Sequence, residues 1–311
     1  MIEAAFSSRW GEGVAKFRHR LAETGLFDDA ALIRLLDAHP RDQLDICTME
    51  LDAPADKIWV AGEASGLSGA ELFAAIKRGA LWVSARGALA MHAEFRSAFD
   101  AMKADLARHT RQRVLRACGS VIMAGPRMGA FYHSDPGETV LCHVRGTKTF
   151  RVYPADEAYL SEPALESVLL KQGLGEVPWT PQMDAGCETL VLEAGDGVSW
   201  PLHAPHRAVN GEGLNVSVSM EYATVRSTLT NGVVYANGVM RRRFGLNPRS
   251  RGVSWALKPA YWLAARMLRR LPPVVETAPE VHARQFDVDP SAPGCVAWRP
   301  GFGPQSQARA A

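Results

Sequence analysis

His133-Ser134-Asp135 sets an imidazole and a carboxylate two residues apart. In an extended strand that spacing turns both side chains to one face, because side chains alternate with a period of two. A second imidazole from a distant strand, His206 at the end of the Pro-rich stretch 201–206, would complete a face of two histidines and one carboxylate. That donor set, with the opposite face open, suits a non-haem Fe(II) that activates oxygen. An H-x-D triplet occurs by chance in many chains, so its weight rests on the stretches around it.

The first of these is FYHSDPGETVLCHVRGTKTFRVYP, residues 131–154. Thr139, Leu141 and His143 alternate with Val140, Cys142 and Val144, the pattern of a strand whose faces have different surroundings. Arg145-Gly146-Thr147 reads as a tight turn, Lys148 to Tyr153 as the returning strand, and Pro154 as its end. The second stretch, residues 192–222, runs through a Gly-Asp-Gly turn, a short strand, Pro201 to His206, a Gly-rich turn and an alternating strand ending at Tyr222. Hairpins around candidate ligands predict a small barrel or double-sheet jelly roll with the metal in its mouth.

Together the two stretches resemble the JmjC-type branch of the cupin superfamily, the Fe(II)- and 2-oxoglutarate-dependent hydroxylases and demethylases. The first family signature is matched by His133, Asp135, Gly146, Lys148, Phe150 and Pro154, and the second by Gly195-Asp196, Pro201 and His206. The resemblance covers roughly residues 114–224. It implies that His133, Asp135 and His206 bind Fe(II) and that Lys148 binds the distal carboxylate of the cosubstrate 2-oxoglutarate. Thr139 would face the same way as His133 and Asp135 in the absence of a bulge, and by resemblance could donate to the cosubstrate carboxylate near the metal. Ser219 and Asn215 are weaker candidates of the same kind. Two departures stand out: Ala130 replaces a hydroxyl residue common three positions before the first ligand, and Ala204-Pro205 replaces paired aromatics before the distal histidine.

Several residues have a plainer alternative. H-A-P-H offers His203 as well as His206, and the spacing from Pro201 favours His206, leaving His203 as a hydrogen-bonding residue at the pocket rim. Lys148 could be a solvated lysine after a turn, but it shares a strand face with Phe150 and Val152. A buried charge there needs an anionic partner, which a dicarboxylate would supply. Thr139 could be an ordinary strand residue, His143 and Tyr132 could line the substrate side or equally be plain packing or surface, and Arg145 and Arg151 read as surface charges.

The elements that must hold this site fill a chain of 311 residues, too long for a minimal sandwich, so helical additions are expected. Five cysteines with no C-x-x-C pair argue against a disulfide framework or zinc ribbon and fit a reducing cytoplasm. The N-terminus has no apolar run of signal-peptide length, and no stretch is long and apolar enough for a transmembrane helix. Residues 1–112 read as a mainly helical cover: Phe17, Leu21, Leu26 and Phe27, then Leu32, Leu35 and Leu36, fit two amphipathic helices. Ser68 with Glu71 forms a capping box for a helix over 69–78, residues 81–83 read as a strand, and 94–109 as another helix. Residues 113–224 form the barrel core. Its insertion, 155–188, either borders the pocket mouth or serves as a structural crossover.

From Ala223 to Val275 there are ten Lys or Arg and no Asp or Glu, which leaves 25 basic against 33 acidic residues elsewhere. With Trp255, Tyr261, Trp262, Met267 and Leu268, the stretch 225–289 reads as a basic helical extension. Packing on the body or on a second subunit, as a homodimer, is favoured over nucleic acid. Residues 290–311 read as an irregular tail. The expectation is therefore an α+β protein built on a double-stranded β-helix, with a helical N-terminal cover and a helical C-terminal extension. Its expected activity is that of an Fe(II)- and 2-oxoglutarate-dependent dioxygenase using O2. Hydroxylation ranks above demethylation because no chromatin-reading module accompanies the domain, and the primary substrate stays open among protein, peptide, RNA and small molecule. The alternatives are a cupin sensor without turnover and a nucleic-acid-binding regulator.

Overall fold

The computed structural model describes residues 1–3, 10–49, 59–172, 177–272, 274 and 283–303. Among these, in chain order, the strands are β1 (Ala15–Arg18), β2 (Leu44–Thr48), β3 (Val60–Glu63), β4 (Trp82–Ala85), β5 (Arg116–Ala124), β6 (Gly129–His133), β7 (Glu138–Arg145), β8 (Thr147–Val152), β9 (Glu188–Glu193), β10 (Asp196–Ser199), β11 (His206–Asn210), β12 (Asn215–Ala223), β13 (Phe286–Val288) and β14 (Val296–Trp298). The helices are α1 (Asp29–Ala38), α2 (Gly69–Arg78), α3 (Ala88–Met91), α4 (Arg96–Thr110), α5 (Glu162–Leu169), α6 (Val225–Phe244) and α7 (Lys258–Leu268).

Strands β5 to β12 are divided between two sheets. One has the order β6-β11-β8-β9, and the other contains β10-β7-β12-β5 within a larger sheet. This is the double-stranded β-helix expected from the hairpin pattern. The turn at Gly146, whose φ of 84° suits glycine, sends the chain from β7 in the large sheet to β8 in the small one. Alternation then sorts the side chains. Leu141, Phe150, Val152, Leu192, Val198, Trp200 and Ala208 form the core between the sheets. Val140, Cys142, Val144, Val216, Val218 and Met220 point the other way and join Leu32, Leu35, Leu36, Leu72 and Ile76 of α1 and α2 in the main core.

Ser68 caps α2 with Glu71 in a capping box, and α2, α4 and β4 fall close to their expected places. Three expectations are corrected. Phe17 lies in β1, a strand paired with β10, because it alternates with exposed neighbours and packs into the sheet. The N-terminal cover is thus part strand: β1 to β4 all join the large sheet, extending it on both sides of its barrel strands. The irregular tail also contributes a strand, since β14 pairs with β13, which lies beside β3; residues 304–311 lie outside the described residues.

The insertion before β9 packs on the outer face of the small sheet. Leu160, Leu165, Val168 and Val177 bury Tyr132 and Tyr153 there, together with Val234 of α6. Arg207 on that face donates to the Tyr153 hydroxyl and pairs with Asp184 while its guanidinium lies over Trp179. The basic segment is partly internal. The fully buried carboxylate of Glu166 on α5 accepts from Arg241 Nε at 2.8 Å and Arg242 Nη1 at 2.9 Å, so two of the three consecutive arginines face a protein partner. Helix α7 lies on α6 with Trp262 against Gly232, and Leu263 and Met267 on its other side are exposed. No helix among the described residues is long and apolar enough to cross a membrane.

Candidate metal centre

His133 ends β6 and His206 begins β11, and the antiparallel ladder pairs the two residues directly. The close approach of these strands depends on Gly129: a Cβ there would fall 1.9 Å from the Ala208 carbonyl oxygen. A register shift between His206 and Ala208 accompanies it. Asp135 lies just beyond β6, with Oδ1 3.8 Å from His133 Nε2 and Oδ2 3.5 Å from His206 Nε2. His133, Asp135 and His206 offer donor atoms within 4.8 Å of one another, the one such group among the described residues that could hold a metal ion.

The tautomers suit that role. His133 Nδ1 donates to the Phe131 carbonyl at 2.7 Å, and His206 Nδ1 donates to the Ala204 carbonyl at 3.1 Å. Carbonyls only accept, so each Nδ1 carries the proton and each Nε2 lone pair is turned toward Asp135. Burial, and then the neighbouring His133, lower the His206 pKa to about 4, so it is a neutral donor near neutral pH. Trp200 lies 4.5 Å from the His206 ring and Phe150 5.5 Å from it, an apolar floor. Trp59 stands edge-on to His133 at 5.4 Å.

Lys148 is buried on the inward face of β8 with Phe150 and Val152, as the alternation predicts. Its ammonium donates to Asn210 Oδ1, a neutral acceptor, and no carboxylate among the described residues pairs with it. Burial alone lowers its pKa to about 8. Among the described residues Asn210 Nδ2 is buried without a hydrogen-bond partner, and His143 Nδ1 pairs with Ser217 Oγ at 3.0 Å. Burial, reinforced by the charge on Lys148, holds the His143 pKa down at about 3. The barrel therefore holds a buried ammonium that no carboxylate among the described residues neutralises.

Thr139 does not share a strand face with His133. The chain crosses between sheets at 134–137, and Thr139 lies on β7 of the opposite sheet, paired with Glu221. It is buried, and its Oγ1 has no hydrogen-bond partner among the described residues. Ser219 is on the same inward face of β12, opposite Leu141, whereas Asn215 closes a turn by donating to the Gly211 and Gly213 carbonyls. Tyr132 points out of the barrel and donates to the Tyr159 carbonyl. His203 Nε2 is 2.7 Å from Asn231 Oδ1 on α6.

Sequence reasoning passed over Asn210 and Glu221. Both were within reach of the period-two rule, since Asn210 follows His206 by four residues on β11 and Glu221 follows Ser219 by two on β12. Burial, reinforced by Asp135, raises the Glu221 pKa to about 7.

Neither a protein-family model nor a curated protein matches the sequence. Similar solved structures include the ribosomal oxygenase YcfD of Escherichia coli in complex with cobalt and 2-oxoglutarate, at 16% identity and a TM-score of 0.46, covering 90% of this chain and 70% of that one. A second YcfD structure covers 99% of this chain and 78% of its own at 13% identity and a TM-score of 0.46. The DMSP lyase DddQ from Ruegeria pomeroyi DSS-3 matches 35% of this chain and 39% of its own at 13% identity and a TM-score of 0.23.

Proposed function

We propose that this protein is an Fe(II)- and 2-oxoglutarate-dependent oxygenase that acts as a hydroxylase. The observation that carries the reading is Lys148, a buried lysine with only a neutral partner, inside the same barrel as the His133, Asp135 and His206 cluster. An unpaired buried ammonium is costly, and a site that keeps one is arranged for an anion that arrives later.

In this reading His133, Asp135 and His206 hold the iron and leave its remaining positions open. Lys148 and Asn210 take the distal carboxylate of 2-oxoglutarate, and Thr139 and Ser219 are the proposed donors to its other end. The unpartnered Asn210 Nδ2 and Thr139 Oγ1 fit such a ligand. Phe150 and Trp200 keep water from the face behind His206. With iron and 2-oxoglutarate bound, a site of this kind supplies oxidation of a C–H bond by O2, 2-oxoglutarate leaving as succinate and carbon dioxide. The protein's part is to hold the cosubstrate in one orientation so that oxidation is directed at the substrate.

The test is anaerobic titration of 2-oxoglutarate into the Fe(II) protein, followed by its metal-to-ligand absorption band, then succinate formation on admission of oxygen. A band that saturates and succinate that depends on iron support the reading. Absence of both overturns it.

A further inference from the structure

We propose that Asn231, acting through His203, is a positioning residue that fastens the two ligand-bearing segments together and sets the spacing of the metal face. This inference rests on the metal reading above. His133 and Asp135 belong to one segment and His206 to another, and the ladder contact between β6 and β11 ends at the His133–His206 pair, before Asp135. Beyond that point, side-chain bonds hold the segments in register. Ser134 Oγ donates to the His203 carbonyl at 3.0 Å. Asn231 Nδ2 donates to the Pro136 carbonyl at 2.6 Å, and Asn231 Oδ1 meets His203 Nε2 at 2.7 Å. Ser134, His203, Asn231 and Pro136 thus close a ring around Asp135.

The donors in this ring have one consistent assignment. The Pro136 carbonyl can only accept, so the amide nitrogen of Asn231 must face it and Oδ1 must face His203. His203 Nε2 is then the proton-bearing nitrogen, directed at α6 rather than at a metal. This gives the first histidine of H-A-P-H a role distinct from that of His206.

The backbone supports a designed position. His203 has a φ of 67°, a left-handed conformation that side chains other than glycine adopt at a cost. Nothing in a simple turn at 201–206 requires histidine there, and glycine would serve the backbone better. A buried histidine in this conformation is accounted for by the bond its ring makes. The other end of the ring is firm, because Asn231 lies in α6, whose N-cap Thr224 donates to Glu138 Oε2 at 2.8 Å.

The experiment measures Co(II) affinity and thermal stability in the full-length protein and in Asn231→Ala, His203→Gly, His203→Gln and the Asn231→Ala/His203→Gly double variant. Removing a partner that orients metal ligands typically weakens affinity by about 10–100-fold. Asn231→Ala and His203→Gly are each expected to weaken Co(II) binding by about tenfold or more, and the double variant no further than Asn231→Ala, since that change already removes the bond to His203 along with the one to Pro136. His203→Gly also empties the space of a buried ring, so its melting temperature is expected to fall, and rescue by a conservative variant is the readout that a merely structural role would not produce. His203→Gln keeps an N–H toward Asn231 and should recover much of the affinity. Unchanged Co(II) affinity in Asn231→Ala and His203→Gly overturns the positioning role. Failure of the unmutated protein to bind Co(II) is a separate result that overturns the metal reading and this inference with it.

Discussion

His206 faces His133 across the β11–β6 ladder with ring centroids 4.2 Å apart, and each ring turns Nδ1 back to the carbonyl two residues before it. Two imidazoles so held project their Nε2 lone pairs at one carboxylate, Asp135.

Asp135→Ala removes the one anionic donor of the cluster. Binding of Fe(II) or Co(II) should fall by more than the ~10–100-fold typical for loss of an outer partner. Isothermal titration under anaerobic conditions checks this, with Lys148→Ala as a variant expected to bind metal as the unmutated protein does. Equal loss in both would contradict the assignment.

Lys148→Met should separate function from folding. Replacing a buried, neutral-paired ammonium with an apolar side chain of similar length is expected to leave the ligand-free protein as stable or more stable. The same change should remove about 1.5–3 kcal/mol of 2-oxoglutarate binding. Calorimetric melting and the 2-oxoglutarate titration together decide the matter. Because burial lowers the Lys148 pKa to about 8, the charged form is lost as pH rises through that value. Affinity for 2-oxoglutarate should therefore drop about tenfold between pH 7 and 9 in the unmutated protein.

Acid should destabilise the fold through His19 and His143. Burial lowers His19 to about 4 and His143 to about 3. His19 Nε2 donates to the His143 and Asp196 carbonyls while Nδ1 accepts from the Leu21 N–H, so an added proton has no acceptor. A folded pKa below the unfolded value means that stability is complete above about pH 6.5 and declines as pH falls toward 4. His19 alone accounts for about 3 kcal/mol over that range. Denaturant melts of His19→Gln at pH 7 and pH 4.5 should show a smaller acid loss than the unmutated protein.

Glu166→Ala should be severe despite its distance from the metal cluster. It strands Arg241 and Arg242 against a buried face, and breaking a buried pair from one side costs about 3–5 kcal/mol. Equilibrium unfolding is the measurement, and a loss below about 1 kcal/mol would show that the arginines find water instead.

Period-two alternation and hairpin spacing were enough to lay out the barrel strands, to put Lys148 on the inner face with Phe150 and Val152, and to bring out His133 and Asp135. These depend on residues close in sequence, where backbone geometry leaves little choice of direction. Ser68 and Glu71 were legible for the same reason, since a capping box is complete within one turn. Tertiary structure alone decided the rest. Thr139 faces the interior from the opposite sheet because the chain crosses over between Ser134 and Gly137, and no local pattern records which sheet a strand joins. Phe17 became a strand residue because β10 offered it a distant sheet edge, and the hairpin that holds Val296 is docked on the sheet because β13 pairs with distant β3. Arg242 turned inward because Glu166 is buried beneath it. His203 and His206 differ only in what folds against them: Asn231 takes the first, and His133 with Asp135 face the second.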